Sequence, residues 1–288
     1  MGLADRRGFT RLAAAGLVML LAGCDANFTA DLGSSPPADP AITSVRINLR
    51  GLEFRKSDGG TGRLEFRSGE VVDLLQLRTG EPLRLFTDEE LSAGRYSGVR
   101  LLFDEDEDPN VVATVLGGQF PLRLAEGGFA TVDFVVEDGE SSHESLTLVL
   151  DLRQSLAPDE AVDEYTLTPK LRAVRTDEAA TIRGNVATLC PVGTSLATGG
   201  AVYLYSGQDV VPDDIDGAGV EPFATTTLTS SPGAGFAYDL RFLPPGQYTL
   251  ALTCQGNEDV HDRSDDLSFA DALNVEVDAE DVLQLDLD

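Results

Sequence analysis

Apolar and polar side chains alternate along most of this chain, with a period of two and turn residues between the runs. Val45, Ile47 and Leu49 share one face of an extended segment. Leu52 and Phe54 continue it one residue out of phase, so a bulge is expected at Gly51. Leu64 and Phe66, Leu83 and Leu85, Val99, Leu101 and Phe103, Phe120, Leu122 and Leu124, and Val132, Phe134 and Val136 repeat the period. The strictest run is Leu146, Leu148, Leu150 and Leu152, which predicts a strand with its leucines in a core and Thr147, Asp151 and Arg153 towards water. After the polar stretch 175–180 a fresh set begins: Val202 and Leu204; Phe236, Tyr238 and Leu240; Tyr248, Leu250 and Leu252; Leu273, Val275 and Val277; Leu283, Leu285 and Leu287. No stretch of helix length shows sustained apolar spacing at three and four. An all-β protein follows, built from short strands of the kind that form sandwiches.

A chain of 288 residues accommodates two such domains, placed at 42–176 and 181–288. Both contain Leu-x-x-Gly-x-Tyr ahead of a strand, as Leu91-Ser-Ala-Gly94-Arg-Tyr96 and Leu243-Pro-Pro-Gly246-Gln-Tyr248. The pattern resembles the tyrosine corner of Greek-key sandwiches, in which glycine eases the turn and the tyrosine hydroxyl bonds back to nearby backbone.

The amino terminus is different. Arg6, Arg7 and Arg11 precede the apolar run 12–21, too short to cross a hydrocarbon layer of about 30 Å as a helix. It ends in Leu21-Ala22-Gly23-Cys24, which resembles a lipobox. Residues 1–23 are therefore read as a lipoprotein signal peptide and Cys24 as the acylated residue, with several acyl chains giving a durable anchor. Arg6-Arg7-Gly8-Phe9 also resembles a twin-arginine signal, which leaves the export route open. Asp25 resembles an inner-membrane retention signal of enteric bacteria. Residues 24–41, rich in Pro, Gly, Ser and Asp, read as a lipidated tether.

Charge removes one class of function. The formal net charge is −28, and loss of residues 1–23 removes three arginines against one aspartate. A phosphate backbone needs clustered Lys and Arg, so no nucleic-acid partner is expected. With Cys24 acylated, Cys190 and Cys254 remain in an oxidising compartment and are expected to pair. Histidine occurs only as His143 and His261. Ser142 and His143 are adjacent, so on a strand they point to opposite faces, and no Gly-x-Ser-x-Gly elbow surrounds them. No phosphate loop or dinucleotide fingerprint is present, and no enzyme activity is expected.

Three acidic clusters offer hard oxygen ligands of the kind Ca²⁺ takes: 104–108, with Asp104, Asp106 and Asp108; 213–217, with Asp213, Asp214 and Asp216; and 258–266. None has the Asp-x-Asp-x-Asp-Gly spacing, and solvated loops of an acidic protein are the simpler reading. Otherwise no cofactor is expected.

The pieces Ile47-Asn-Leu-Arg-Gly-Leu-Glu-Phe-Arg55, Val72-Asp-Leu-Leu-Gln-Leu77, Leu91 to Leu101, Leu150-Asp-Leu-Arg-Gln-Ser155 and Tyr165-Thr-Leu-Thr-Pro-Lys-Leu-Arg172 resemble the domain of unknown function 4382 family of bacterial lipoproteins. That resemblance carries no activity. Gly235-Phe-Ala-Tyr-Asp-Leu240, leading into Leu243 to Leu250, is similar to transthyretin-like, carboxypeptidase-regulatory sandwiches, which implies a structural or adhesive module. The expectation is a membrane-anchored, periplasm-facing lipoprotein of the cell envelope, acting as a binding or structural module with an envelope protein or glycan as partner. A Ca²⁺-dependent or carbohydrate-directed adhesin and an accessory subunit of an envelope enzyme are the alternatives.

Overall fold

The computed structural model describes residues 26–77, 81–104, 110–137, 143–159, 161–187, 190–231, 235–261, 263–270 and 272–287. The signal segment, Cys24, Asp106, Asp108 and Ser142 lie outside them. Among the described residues no helix is long and apolar enough to cross a membrane. The protein is nearly all β.

Its first part contains β1 (Ala26–Ser35), β2 (Ile42–Lys56), β3 (Thr61–Asp73), β4 (Leu83–Leu91), β5 (Gly94–Phe103), β6 (Val111–Thr114), β7 (Gln119–Leu124), β8 (Ala130–Val136), β9 (His143–Asp151), β10 (Leu156–Asp159), β11 (Glu164–Leu167) and β12 (Leu171–Arg175). One sheet has the order β12-β9-β1-β4, and a larger one runs β10-β11-β7-β6-β2-β5-β8 with β3 also on β2. The sheets meet over a core whose centre is aromatic. The Phe28 ring lies 5.1 Å from Phe54 and 5.8 Å from Phe134, and Tyr96 stacks on Phe134 at 5.0 Å. Pairs of this geometry add to the stabilisation that burial gives.

Phe28 belongs to the segment expected to be a tether, and here the structure corrects the reading of 24–41 and of a domain beginning at residue 42. β1 is a central strand, parallel to β9 from Asn27↔His143 to Ser35↔Asp151 and antiparallel to β4 from Ala26↔Leu91. Phe28, Ala30 and Leu32 are buried in the core. Neighbours on both sides satisfy the β1 backbone, which a tether would leave to water.

At Gly51 the register of β2 shifts against both β3 and β5. A Cβ added there would stand 2.1 Å from the Leu64 carbonyl oxygen, so the close approach of β3 requires glycine. The reading of β9 needs a second correction. Its leucines are buried as expected, but so are Thr147, Asp151 and Arg153, which alternation had assigned to solvent. Arg153 lies beyond the strand in a helical turn, Leu152–Ser155, capped by the Asp151 side chain.

The second part contains β13 (Ala180–Val186), β14 (Ala201–Ser206), β15 (Ala224–Thr227), β16 (Thr229–Ser231), β17 (Gly235–Leu243), β18 (Gly246–Thr253), β19 (Leu273–Val277) and β20 (Val282–Gln284). They form two four-stranded sheets, β16-β17-β13-β20 and β15-β14-β18-β19, around Ile182, Leu204, Tyr238, Leu250 and Val275. The other face of β14 is covered as well. Tyr203 and Tyr205 pack with Ile215 and Ala251, and with Val210 and Phe269 of the flanking loops. Cys190 and Cys254 are joined by a disulfide that ties the segment before β14 to the end of β18.

Candidate functional site: the domain joint and the acidic loops

Asp151 ends β9 where the first domain meets the second. Its buried carboxylate accepts from Gln154 N at 3.3 Å and Gln154 Nε2 at 3.1 Å within its own turn. Across the joint it accepts from Thr225 N at 2.9 Å and Thr225 Oγ1 at 3.0 Å, on β15. Two arginines flank it. Arg153 Nη1 donates to the Gly256 carbonyl, and its guanidinium lies 5.7 Å from the centre of the Tyr203 ring. Arg172, on β12, donates from Nη2 to the Arg241 carbonyl at 3.0 Å. Burial holds the Arg172 guanidinium down at about 10, a shift that nearby Asp151 opposes.

Two clefts flank the joint, and Arg172 lines both. One, of about 450 Å³, lies between the end of β1 and the strands β15 and β17. The other, of about 480 Å³, lies between Asp151, Gln154 and Lys170 on one side and Phe223 and Pro244 on the other.

The acidic loops gather at a different place. Asp214, Asp259 and Asp265 bring carboxylate oxygens within 4.8 Å of one another. Asp259 accepts from Tyr203 Oη and, at 3.2 Å, from Ile215 N. Asp214 accepts from Asp265 N, and Asp265 from Val260 N at 2.7 Å. Burial raises the Asp259 and Asp214 carboxyls above the ordinary aspartate value, against the hydrogen bonds that favour their charged forms. Acids this close carry their full charge only at a cost, which a shared proton or a cation relieves. Three such oxygens with carbonyls or waters suit Ca²⁺ chemically.

Two of the three acidic clusters therefore meet, although 45 residues separate Asp214 from Asp259. The individual residues expected from spacing fare differently. Asp213 and Asp216 are not in the group. Asp213 Oδ1 accepts from Asp214 N at 3.1 Å and Asp216 Oδ1 from Ala218 N at 2.8 Å, which ties both to their own loop. Asp104 closes β5 with its amide on the Asn48 carbonyl at 2.9 Å and is likewise outside the group. The tyrosines make the bonds of a corner: Tyr96 Oη donates to Ser92 O at 2.6 Å and Tyr248 Oη to Pro244 O at 2.7 Å. Gly94 takes a positive φ at its turn; Gly246 does not. His143 opens β9, exposed, with Nδ1 3.7 Å from Asp88.

Composition gave no hint of the joint: Asp151 and Arg153 fall at the polar positions of an alternating run. Asp151 and Arg153 fall within a recognisable span. Residues 34–169 match the family model described as "Domain of unknown function (DUF4382)". That span includes the Asp151–Ser155 turn and stops short of Arg172. No curated protein matches the chain. Among solved structures, the Bacillus anthracis TIE protein aligns over 91% of this chain at 9% identity and a TM-score of 0.23, and the chain spans 34% of its length. A putative cell adhesion protein from Bacteroides fragilis aligns over 91% of both chains at 10% identity and a TM-score of 0.22. Similarity at this level supports no argument about function.

Proposed function

We propose that this chain is a lipoprotein of the bacterial cell envelope, anchored through Cys24, whose two sandwiches form one rigid, non-enzymatic binding module. The observation that carries the reading is the joint. Three charged residues of the family-like segments, Asp151, Arg153 and Arg172, hold the second domain through hydrogen bonds to Thr225, Gly256 and Arg241. Two four-stranded sheets and a tyrosine corner support reading the second domain as transthyretin-like. Anchoring has a geometric consequence. Two residues of extended chain span about 7 Å, so an acyl group on Cys24 leaves almost no slack before Ala26 enters the sheet opposite Leu91. The first domain then stands directly on the headgroups instead of on a leash.

The experiment is expression in a bacterial host with intact-mass measurement and membrane fractionation. Wild type is expected in the membrane fraction with an acylated amino-terminal Cys24, and Cys24→Ser in the soluble fraction. An unacylated chain beginning at Met1 and free of membrane would reject the anchor.

The convergence of Asp214, Asp259 and Asp265 favours a second reading, a Ca²⁺-dependent adhesin. It predicts a melting temperature raised by millimolar Ca²⁺ in wild type and not in Asp214→Asn. No calcium-dependent heat in titration calorimetry counts against it.

A further inference from the structure

The disulfide lies beside the joint. Cys254 directly follows β18, and two residues further on the Gly256 carbonyl accepts from Arg153 Nη1 of the first domain. The Gly256 amide donates in turn to the Gly199 carbonyl at 2.8 Å. Gly199 is near the end of the segment that begins at Cys190, the other half of the bridge, and a Cβ added there would stand 2.1 Å from the Cys254 carbonyl oxygen. The next residue reaches the other clamp. The Gly200 carbonyl accepts from Leu228 N at 3.0 Å, just beyond β15, whose Thr225 binds Asp151. Both clamps are therefore backed by the segment 190–200.

That segment has few ties to the rest of its domain besides the bridge. Among the described residues, its hydrogen bonds before the Gly199 carbonyl are internal: Thr194 N and Oγ1 to Pro191 O, Ala197 N to Ser195 Oγ, and Thr198 N and Gly199 N to Ser195 O. Pro191, Val192 and Gly193 are exposed, and Leu196 packs against the edge of the second core. A stretch held this way opens at low cost once its covalent tie is cut. Cys254 is 7% exposed, but Cys190 is only half-buried, so the Cys190 sulfur is the one a thiolate can reach.

We propose that the Cys190–Cys254 disulfide is a redox-sensitive latch on the domain joint, opened by a dithiol reductant. One thiolate of the reductant attacks Cys190 Sγ, forming a mixed disulfide and expelling the Cys254 thiolate, which takes up a proton. The second thiolate of the reductant then displaces Cys190, which leaves as a thiol on taking up a proton, and the reductant departs as its own disulfide. Two electrons pass from the dithiol to the protein. With the bridge gone the segment 190–200 slackens, Gly256 and Leu228 lose the backing of Gly199 and Gly200, and the clamps of Arg153 and Asp151 weaken while both sandwiches keep their sheets. The latch rests on the closed joint of the binding-module reading and adds a means of opening it.

The test is amide hydrogen exchange, resolved by residue with NMR, on the full chain in detergent before and after dithiothreitol. Thr225 N reports the joint through its bond to Asp151 at 2.9 Å, and the paired amides of β14 and β18 report the second sandwich. Reduction is expected to speed exchange at Thr225 by at least about 10-fold and to leave the β14 and β18 amides within about 2-fold of the oxidised protein. The paired substitution Cys190→Ser and Cys254→Ser is expected to give the same pattern without reductant. Unchanged exchange at Thr225 after reduction would overturn the latch and leave the joint standing. Equal acceleration throughout β14 and β18, the mark of a second domain that unfolds as a whole, would overturn it as well. Free exchange at Thr225 in the oxidised protein would reject the closed joint and the latch with it.

Discussion

Replacing Asp151 by alanine removes an acceptor that four donors share: Gln154 N, Gln154 Nε2, Thr225 N and Thr225 Oγ1. Asp151 is 3% exposed and Thr225 1%, so water cannot take the carboxylate's place without opening the joint. Hydrogen bonds to a charged group contribute about 1.5–3 kcal/mol each and are not additive. Removing one partner of a buried, bonded charge costs about 3–5 kcal/mol. With Arg172 also losing its nearby negative charge, Asp151→Ala is expected to destabilise by about 4 kcal/mol. Thr225→Val keeps the shape and the backbone bond and removes only the hydroxyl, for about 1.5 kcal/mol. The double variant is expected to cost less than the sum, because the threonine hydroxyl has no carboxylate left to lose. Denaturant unfolding of the four proteins measures this directly. Asp151→Ala should also split one transition into two as the domains separate. A cost within about 0.5 kcal/mol, the range of an ordinary surface substitution, would refute the reasoning.

Glu53 is buried and accepts from Arg63 Nε at 2.8 Å and Arg100 Nε at 2.6 Å. Burial raises its carboxyl, but the two arginines together outweigh that and hold it below its ordinary value near 4.5. A depressed folded value means that the stabilisation is present above 4.5 and lost as pH falls through the folded value. Glu53→Gln is therefore expected to lower the melting temperature more at pH 7 than at pH 3, and equal losses would contradict it. Tyr96→Phe and Tyr248→Phe each delete one hydroxyl bond to a carbonyl and are expected to cost about 1 kcal/mol in denaturant. Replacing Cys190 and Cys254 by serine opens a link between residues 64 apart and is expected to cost about 4 kcal/mol in the chain-entropy model. Alkylation of unreduced wild type should find neither thiol free.

Strands with one face in the core were plain from alternation, as Val132, Phe134 and Val136 of β8 illustrate. Strands buried on both faces were harder to read. β1 carries the period in Phe28, Ala30 and Leu32, but alanine is a weak marker and the glycine, serines and prolines from Gly33 to Pro37 have the composition of a linker. On β9 the polar positions looked solvent-facing because no local pattern announces that a second domain will cover Asp151. The disulfide was legible because, with Cys24 assigned to the anchor, one pairing remained. The meeting of Asp214 with Asp259 and Asp265 was not, since it depends on two loops folding over β14 and β18.

A rigid joint between the two domains underlies the binding module. Residual dipolar couplings from backbone amides of the two domains, recorded in one aligning medium, test it most directly. A single alignment tensor fitting both domains in the orientation of the structure is the predicted result. Two tensors of different magnitude, the mark of domains that tumble on a loose hinge, would contradict it.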